Sequence, residues 1–275
     1  MMAVEVPNIL ALDFDGVLCD GLIEYFQTAW KAYCQIWQPA NETPPEGLAP
    51  QFYRLRPVVE TGWEMPVLIR SLLLGTPEAE ILAHWGAIAP AQIAADHLTA
   101  TELGHTVDSI RDGWITTDLE DWLAQHRFYP GVIDRLRQTL CSPVHALIIT
   151  TKEGRFVHKL LQQQGIKLVD SQVLGKEVKQ PKAETLRALL QRSQADTGQP
   201  AHIWFVEDRL KTLQSIQTQS DLEKVKLFLA DWGYNTAGDR DIARNDARLQ
   251  LLSLETFAQD FSAWGLYSKS MKDEG

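Results

Sequence analysis

The hydrophobic pattern changes character partway along the chain. Residues 8–12, "NILAL", form a short apolar run that stops at Asp13, the pattern of a strand buried on both faces. From 22 to 37, Leu22, Tyr25, Phe26, Ala29, Tyr33, Ile36 and Trp37 recur at helical spacing. The Pro-rich stretch 38–50 is expected to be irregular, and 51–127 reads as helices with no convincing strand. Beyond 130 strands and helices alternate. Val132, Ile133, Leu136 and Leu140 share a helical face, and 144–151 reads as a strand ending in two threonines. Helices are expected over 154–166, 183–193 and 210–217, and strands over 201–208 and at the start of 225–235. The polar tail after about 266 is expected to fray.

This alternation predicts an α/β fold: a doubly wound parallel sheet with helices on both faces. The strand at 8–12 belongs to that sheet, so 21–127 reads as an α-helical cap domain inserted into a core made of 1–20 and 128–275. In such sheets the chemistry lies beyond the carboxyl ends of the strands. Asp13, Asp15, Thr150, Thr151, Glu207 and Asp208 all fall at that rim.

Composition narrows the function classes. A chain of 275 residues, 45% hydrophobic and 23% charged, is ordinary for a soluble globular protein. The net charge of −10 and the lack of a basic cluster disfavour nucleic acid and anionic membrane as partners. Cys19, Cys34 and Cys141 lack CxxC spacing, which favours reduced thiols over a zinc site. The first residues do not read as a signal peptide, and no apolar run approaches the ~20 residues of a membrane span, so a cytoplasmic location is expected.

Asp13 and Asp15 are alternate residues of an extended segment and can face one pocket, with Gly16 directly behind them and a third acid at Asp20. Two carboxylates that close repel unless a proton or cation lies between them. Mg²⁺ suits them, and Asp208 can add a third charge. One aspartate can then serve as nucleophile and the other as acid and base. In "ITTKEGRF" a threonine hydroxyl and the amides at a helix start can hold a phosphate oxygen. "GKEVKQPKAETL" offers Lys176, Lys179 and Lys182 as counter-charges.

As a set, "DFDGVLCD", "YPGVIDRL", "LIITTK", "KQPKAETL" and "WFVEDRLKTL" resemble, in order and spacing, the motifs of the haloacid dehalogenase (HAD) superfamily. The resemblance implies a Rossmannoid core in which Asp13 is the nucleophile and Asp15 the acid/base. It gives Thr150 the phosphate-binding hydroxyl, with Thr151 and Gly16 beside it, and favours Lys182 as the motif lysine, with Lys179 as a rival. Mg²⁺ is then held by Asp13, Asp208 and Asp15, the last through its backbone carbonyl. Glu207 stands where glycine is usual, and either ligates the metal or orients a lysine. Thr212 stands where a second aspartate is frequent, and Ala183 where proline is.

An aspartate at position 15 favours phosphoryl transfer over dehalogenation, because an alkoxide leaving group needs a proton and a halide does not. The resemblance therefore points to a Mg²⁺-dependent phosphatase acting on a small phosphorylated metabolite, similar to phosphoglycolate phosphatases. A phosphomutase of the β-phosphoglucomutase type and a non-catalytic binding protein are the other readings. In the cap, Arg56, Glu60 and Trp63 are candidate substrate contacts. Lys31 reads as a solvated helix residue, and the seven histidines show no ligand pairing.

Overall fold

The computed structural model describes residues 5–265; the expectation for the tail beyond 266 lies outside the described residues. Strand and helix follow in the order β1 (Ile9–Leu12), β2 (Cys19–Asp20), α1 (Leu22–Trp37), α2 (Leu48–Leu55), α3 (Glu64–Leu73), α4 (Glu78–Ala95), α5 (Ala100–Thr117), α6 (Leu119–Ala124) and β3 (Arg127–Phe128). Next come α7 (Val132–Leu140), β4 (His145–Ile149), α8 (Gly154–Gln163), β5 (Val173–Leu174), α9 (Lys182–Thr197), β6 (Ile203–Glu207) and α10 (Leu210–Gln217). β7 (Lys226–Ala230), α11 (Ala237–Asn245), β8 (Leu249–Leu252), α12 (Leu254–Phe257) and α13 (Phe261–Trp264) complete the described chain.

Six strands form one parallel sheet in the order β5-β4-β1-β6-β7-β8. All five residues of β6 are buried, as expected of a strand covered on both faces. Its alternate residues divide between those faces. Phe205 packs with Ala11, Leu227 and Leu229 and with Leu210, Leu213 and Ile216 of α10. Trp204 joins an aromatic group, 5.2 Å from the Phe228 ring, 5.5 Å from Phe261 and 5.6 Å from Trp264. Each such ring contributes roughly 1.5–3 kcal/mol by leaving water.

The chain divides into two compact units: residues up to Asp20 with those from Phe128 onward, and Gly21–Arg127. In the second unit α1 packs against α3 and α5. Glu24 of α1 is 1% exposed. Its carboxylate accepts from Arg111 Nε and Nη2 at 2.7 and 3.1 Å, from Thr28 Oγ1 at 2.8 Å and from Trp122 Nε1 at 3.2 Å. A buried charge needs such company.

The strands are shorter than the apolar runs that announced them. The irregular stretch also ends earlier than expected, since α2 already begins at Leu48. Pro50 lies in its first turn, where a missing N–H removes no intrahelical bond. β5, β8 and α11–α13 have no counterpart in the sequence pattern.

Candidate active site

Register places the site. Leu12 of β1 pairs with Ile148 of β4 on one side and with Val206 of β6 on the other. Asp13 therefore emerges level with Glu207, and Thr150 and Asp208 follow one step further on. Asp13, Thr150, Glu207 and Asp208 are 6%, 6%, 0% and 1% exposed. Asp13, Glu207 and Asp208 each present a carboxylate oxygen, and these three oxygens lie within 4.8 Å of one another.

One ammonium faces this group. Lys182, the first residue of α9, places Nζ 2.6 Å from Glu207 Oε2 and 2.9 Å from Asp13 Oδ1. The other Glu207 oxygen accepts the N–H groups of Asp208 (3.1 Å) and Arg209 (3.0 Å). Both Glu207 oxygens are thus engaged in holding Lys182 and the turn after β6. The rival Lys179 is exposed, in a left-handed turn at φ 53°.

Burial, reinforced by Glu207 and Asp15, pushes the Asp13 carboxyl up to about 7 against the pull of Lys182. Burial also raises the Asp208 carboxyl well above the usual range, with Glu207 and Asp13 adding to it. Burial works against the Lys182 charge, but Asp13 and Glu207 outweigh it and hold the ammonium above the ordinary lysine range.

Asp13 Oδ1 is buried, with the Lys182 ammonium 2.9 Å away. Three buried carboxylate oxygens within 4.8 Å of one another, faced by the Lys182 ammonium, suit a hard oxygen-seeking cation such as Mg²⁺. Asp15 stands outside the trio. Its carboxylate pairs with Lys152 Nζ at 3.1 and 3.4 Å, so only its backbone carbonyl is left for the metal role that the resemblance implies. Lys152, missing from the sequence expectations, has a side chain 9% exposed. A lysine just past a strand end looks like any surface lysine until the fold sets it beside an acid 137 residues away.

Gly16 follows directly in the loop after β1. Its N–H donates to the Cys19 carbonyl (2.8 Å), closing a tight loop after β1. Its φ is +86°, and a Cβ there would sit 2.1 Å from Asp208 Oδ2. The residue is glycine because the loop turns left-handed against a carboxylate.

The helix-start amides differ from expectation. The first amide of α8, Gly154 N–H, donates to Glu177 Oε2 (3.1 Å), and Gly175 N–H donates to Oε1 of the same residue (3.2 Å). A carboxylate of the chain itself occupies that amide. Thr150 Oγ1 is buried at the rim and accepts from Lys152 N–H (3.2 Å), which leaves its own proton to give. Thr151 is exposed.

Arg56 and Glu60 belong to the Gly21–Arg127 unit. Arg56 donates to the Val59 carbonyl (2.9 Å) and lies over the Tyr25 ring at 4.8 Å. Glu60 is exposed and its N–H is held by Glu64, while Trp63 is half-buried. Lys31 does more than meet solvent: its Nζ sits 3.9 Å over the Trp114 ring. Among the described residues no helix is long and apolar enough to cross a membrane.

No protein-family model matches the sequence, and none of the curated proteins does. Solved structures do match. A hydrolase of the haloacid dehalogenase-like family from Streptococcus pneumoniae is similar with a TM-score of 0.53 at 15% identity, over 89% of this chain and 93% of that one. The chain has a haloacid dehalogenase-like fold. A predicted phosphoglycolate phosphatase from Haemophilus somnus is similar with a TM-score of 0.52 at 16% identity, over 86% and 89% of the two chains. Protein tyrosine kinase A of Mycobacterium tuberculosis is similar with a TM-score of 0.54 at 15% identity, over 91% and 96%. The haloacid dehalogenase-like fold thus carries proteins named for different reactions, and residues at the rim must decide between them.

Proposed function

We propose that the protein is a Mg²⁺-dependent phosphatase that hydrolyses a small phosphorylated metabolite through an aspartyl phosphate on Asp13. The reading rests chiefly on one observation: buried Asp13 shares a carboxylate cluster with Asp208 and an ammonium with Glu207, while Asp15 stands two residues on. Held by Asp13, Asp208 and the Asp15 carbonyl, Mg²⁺ supplies positive charge that offsets the carboxylates and the arriving phosphate. Glu207 orients Lys182 and is not a ligand in this reading.

The side chains then divide the work. An Asp13 oxygen attacks phosphorus, forming a P–O bond as the bond to the leaving oxygen breaks. Asp15 acts as general acid and delivers a proton to that oxygen. Lys182 and the Thr150 hydroxyl meet negative charge on the transferred group. Asp15, now a carboxylate, takes a proton from water. The resulting hydroxide displaces Asp13, and inorganic phosphate is released. The 21–127 unit acts as a cap, with Arg56 and Glu60 contacting the leaving group, while Thr151 lines the approach to Thr150.

Phosphate release from a panel of phosphorylated metabolites, with and without Mg²⁺, tests this. Hydrolysis that needs Mg²⁺ and is abolished in Asp13→Asn is expected. Sugar-phosphate isomerisation without release would replace hydrolysis by mutase chemistry. Asp13→Asn with undiminished Mg²⁺-dependent turnover would falsify the assignment.

A further inference from the structure

The reading above leaves the acid at Asp20 and the run "DWGYN" at 231–235 without a role, and the structure joins them. Tyr234 is held by several polar contacts, a side-chain hydrogen bond with Tyr129 among them. Its N–H donates to Asp208 Oδ2 at 2.7 Å, its carbonyl accepts from Arg209 Nη1, and its hydroxyl donates to Asp20 Oδ1 at 2.9 Å. The residue is 5% exposed. The neighbouring loop is pinned as well. Trp232 Nε1 donates to the Val17 carbonyl (3.1 Å), and Asn235 Nδ2 donates to the carbonyls of Asp208 (3.0 Å) and Ala230 (2.7 Å). Asp20 is the last residue before the chain enters the second unit.

We infer that Tyr234 is a positioning residue for Asp208: its hydroxyl, anchored on Asp20, fixes the backbone amide that in turn fixes the carboxylate at the rim. A carboxylate turns freely about its terminal bond unless something holds one oxygen. The Tyr234 amide holds Oδ2, and an amide on a loop is only as steady as the loop's own anchors. The hydroxyl tie to Asp20 is such an anchor. Preorganising a ligand in this way reduces what binding must otherwise order.

This inference rests on Asp208 holding Mg²⁺. Its test is calorimetric titration of MgCl₂ into the full chain after chelator treatment, comparing wild type, Tyr234→Phe, Asp20→Ala and the double variant. Tyr234→Phe keeps the ring and the backbone amide and removes only the hydroxyl. About three- to tenfold weaker Mg²⁺ binding is expected in each single variant, the scale of one lost hydrogen bond. The double variant should bind no more weakly than Tyr234→Phe alone, because loss of the hydroxyl already cuts its tie to Asp20. A purely structural tyrosine would lower the melting temperature and leave Mg²⁺ affinity where it was, and that result overturns the inference. Asp208→Asn that binds Mg²⁺ as tightly as wild type sinks the metal reading and this inference with it. Loss in Asp208→Asn with no change in Tyr234→Phe sinks the inference alone.

Discussion

Lys182 is where the buried charge of the site is balanced, because it answers Asp13 and Glu207 at once. Removing one partner of a buried ionic group leaves the others unpaired, at a cost of about 3–5 kcal/mol. Lys182→Met, nearly isosteric but uncharged, should therefore lose both turnover and stability when Mg²⁺ is absent. Urea denaturation in chelator measures the second effect, and a loss under about 1 kcal/mol would show that the ion pairs carry little. Lys182→Arg should not restore turnover, since a planar fork cannot replace a compact ammonium between two carboxylates. The sequence favoured Lys182 and kept Lys179 as a rival. In the fold Pro181 caps α9, Lys182 opens it beside Asp13 and Glu207, and Lys179 lies on an exposed turn.

At the scale of elements, the strands that carry the chemistry were the legible ones. β1, β4, β6 and β7 are apolar runs buried on both faces, and such runs announce themselves without an alignment. β8 did not: Gln250 and Leu251 are only half-buried, and four residues give no period to read. The loop after β7 was read only as a turn, because its role is steric. A Cβ on Gly233 would lie 2.3 Å from Asp208 Cβ and 2.5 Å from the Gly16 carbonyl, a contact between three segments that no local pattern encodes. Gly233→Ala must push the loop off Asp208, so Mg²⁺ affinity and turnover should both collapse. Gly238→Ala, in α11, meets nothing closer than 3.7 Å and should leave both intact while slightly favouring the helix. Equal behaviour of the two variants in a titration with MgCl₂ would remove the steric explanation.

For the whole molecule, the site sets a conflict between folding and function that should be visible in stability against pH. The folded chain pushes the Asp13 carboxyl from 3.8 up to about 7, so between those values the folded state keeps a proton that the unfolded state has released. Stability contributed by this group is complete below about pH 4 and is lost as pH rises to about 7. Asp208 shifts in the same direction. The carboxylates of Asp96, Glu177 and Asp246 are shifted down by their partners, so their contribution runs the other way but is complete by about pH 5. Asp231 is also raised by burial, so the comparison between wild type and an Asp13 variant over pH 5 to 7 is what singles out the site. Asp13→Asn removes the Asp13 titration while keeping the shape, and the mutant's stability relative to wild type should rise by roughly 2 kcal/mol across that interval in chelator. Under the proposed function Mg²⁺ binds the folded state, and its addition should reverse the trend for wild type, by about 2.7 kcal/mol at a hundredfold excess over its dissociation constant. Urea denaturation of both proteins at pH 5, 6 and 7, with chelator and with MgCl₂, gives the comparison. A constant difference across pH in chelator would mean that Asp13 is ionised throughout, and the carboxylate cluster would then need no cation to hold it together.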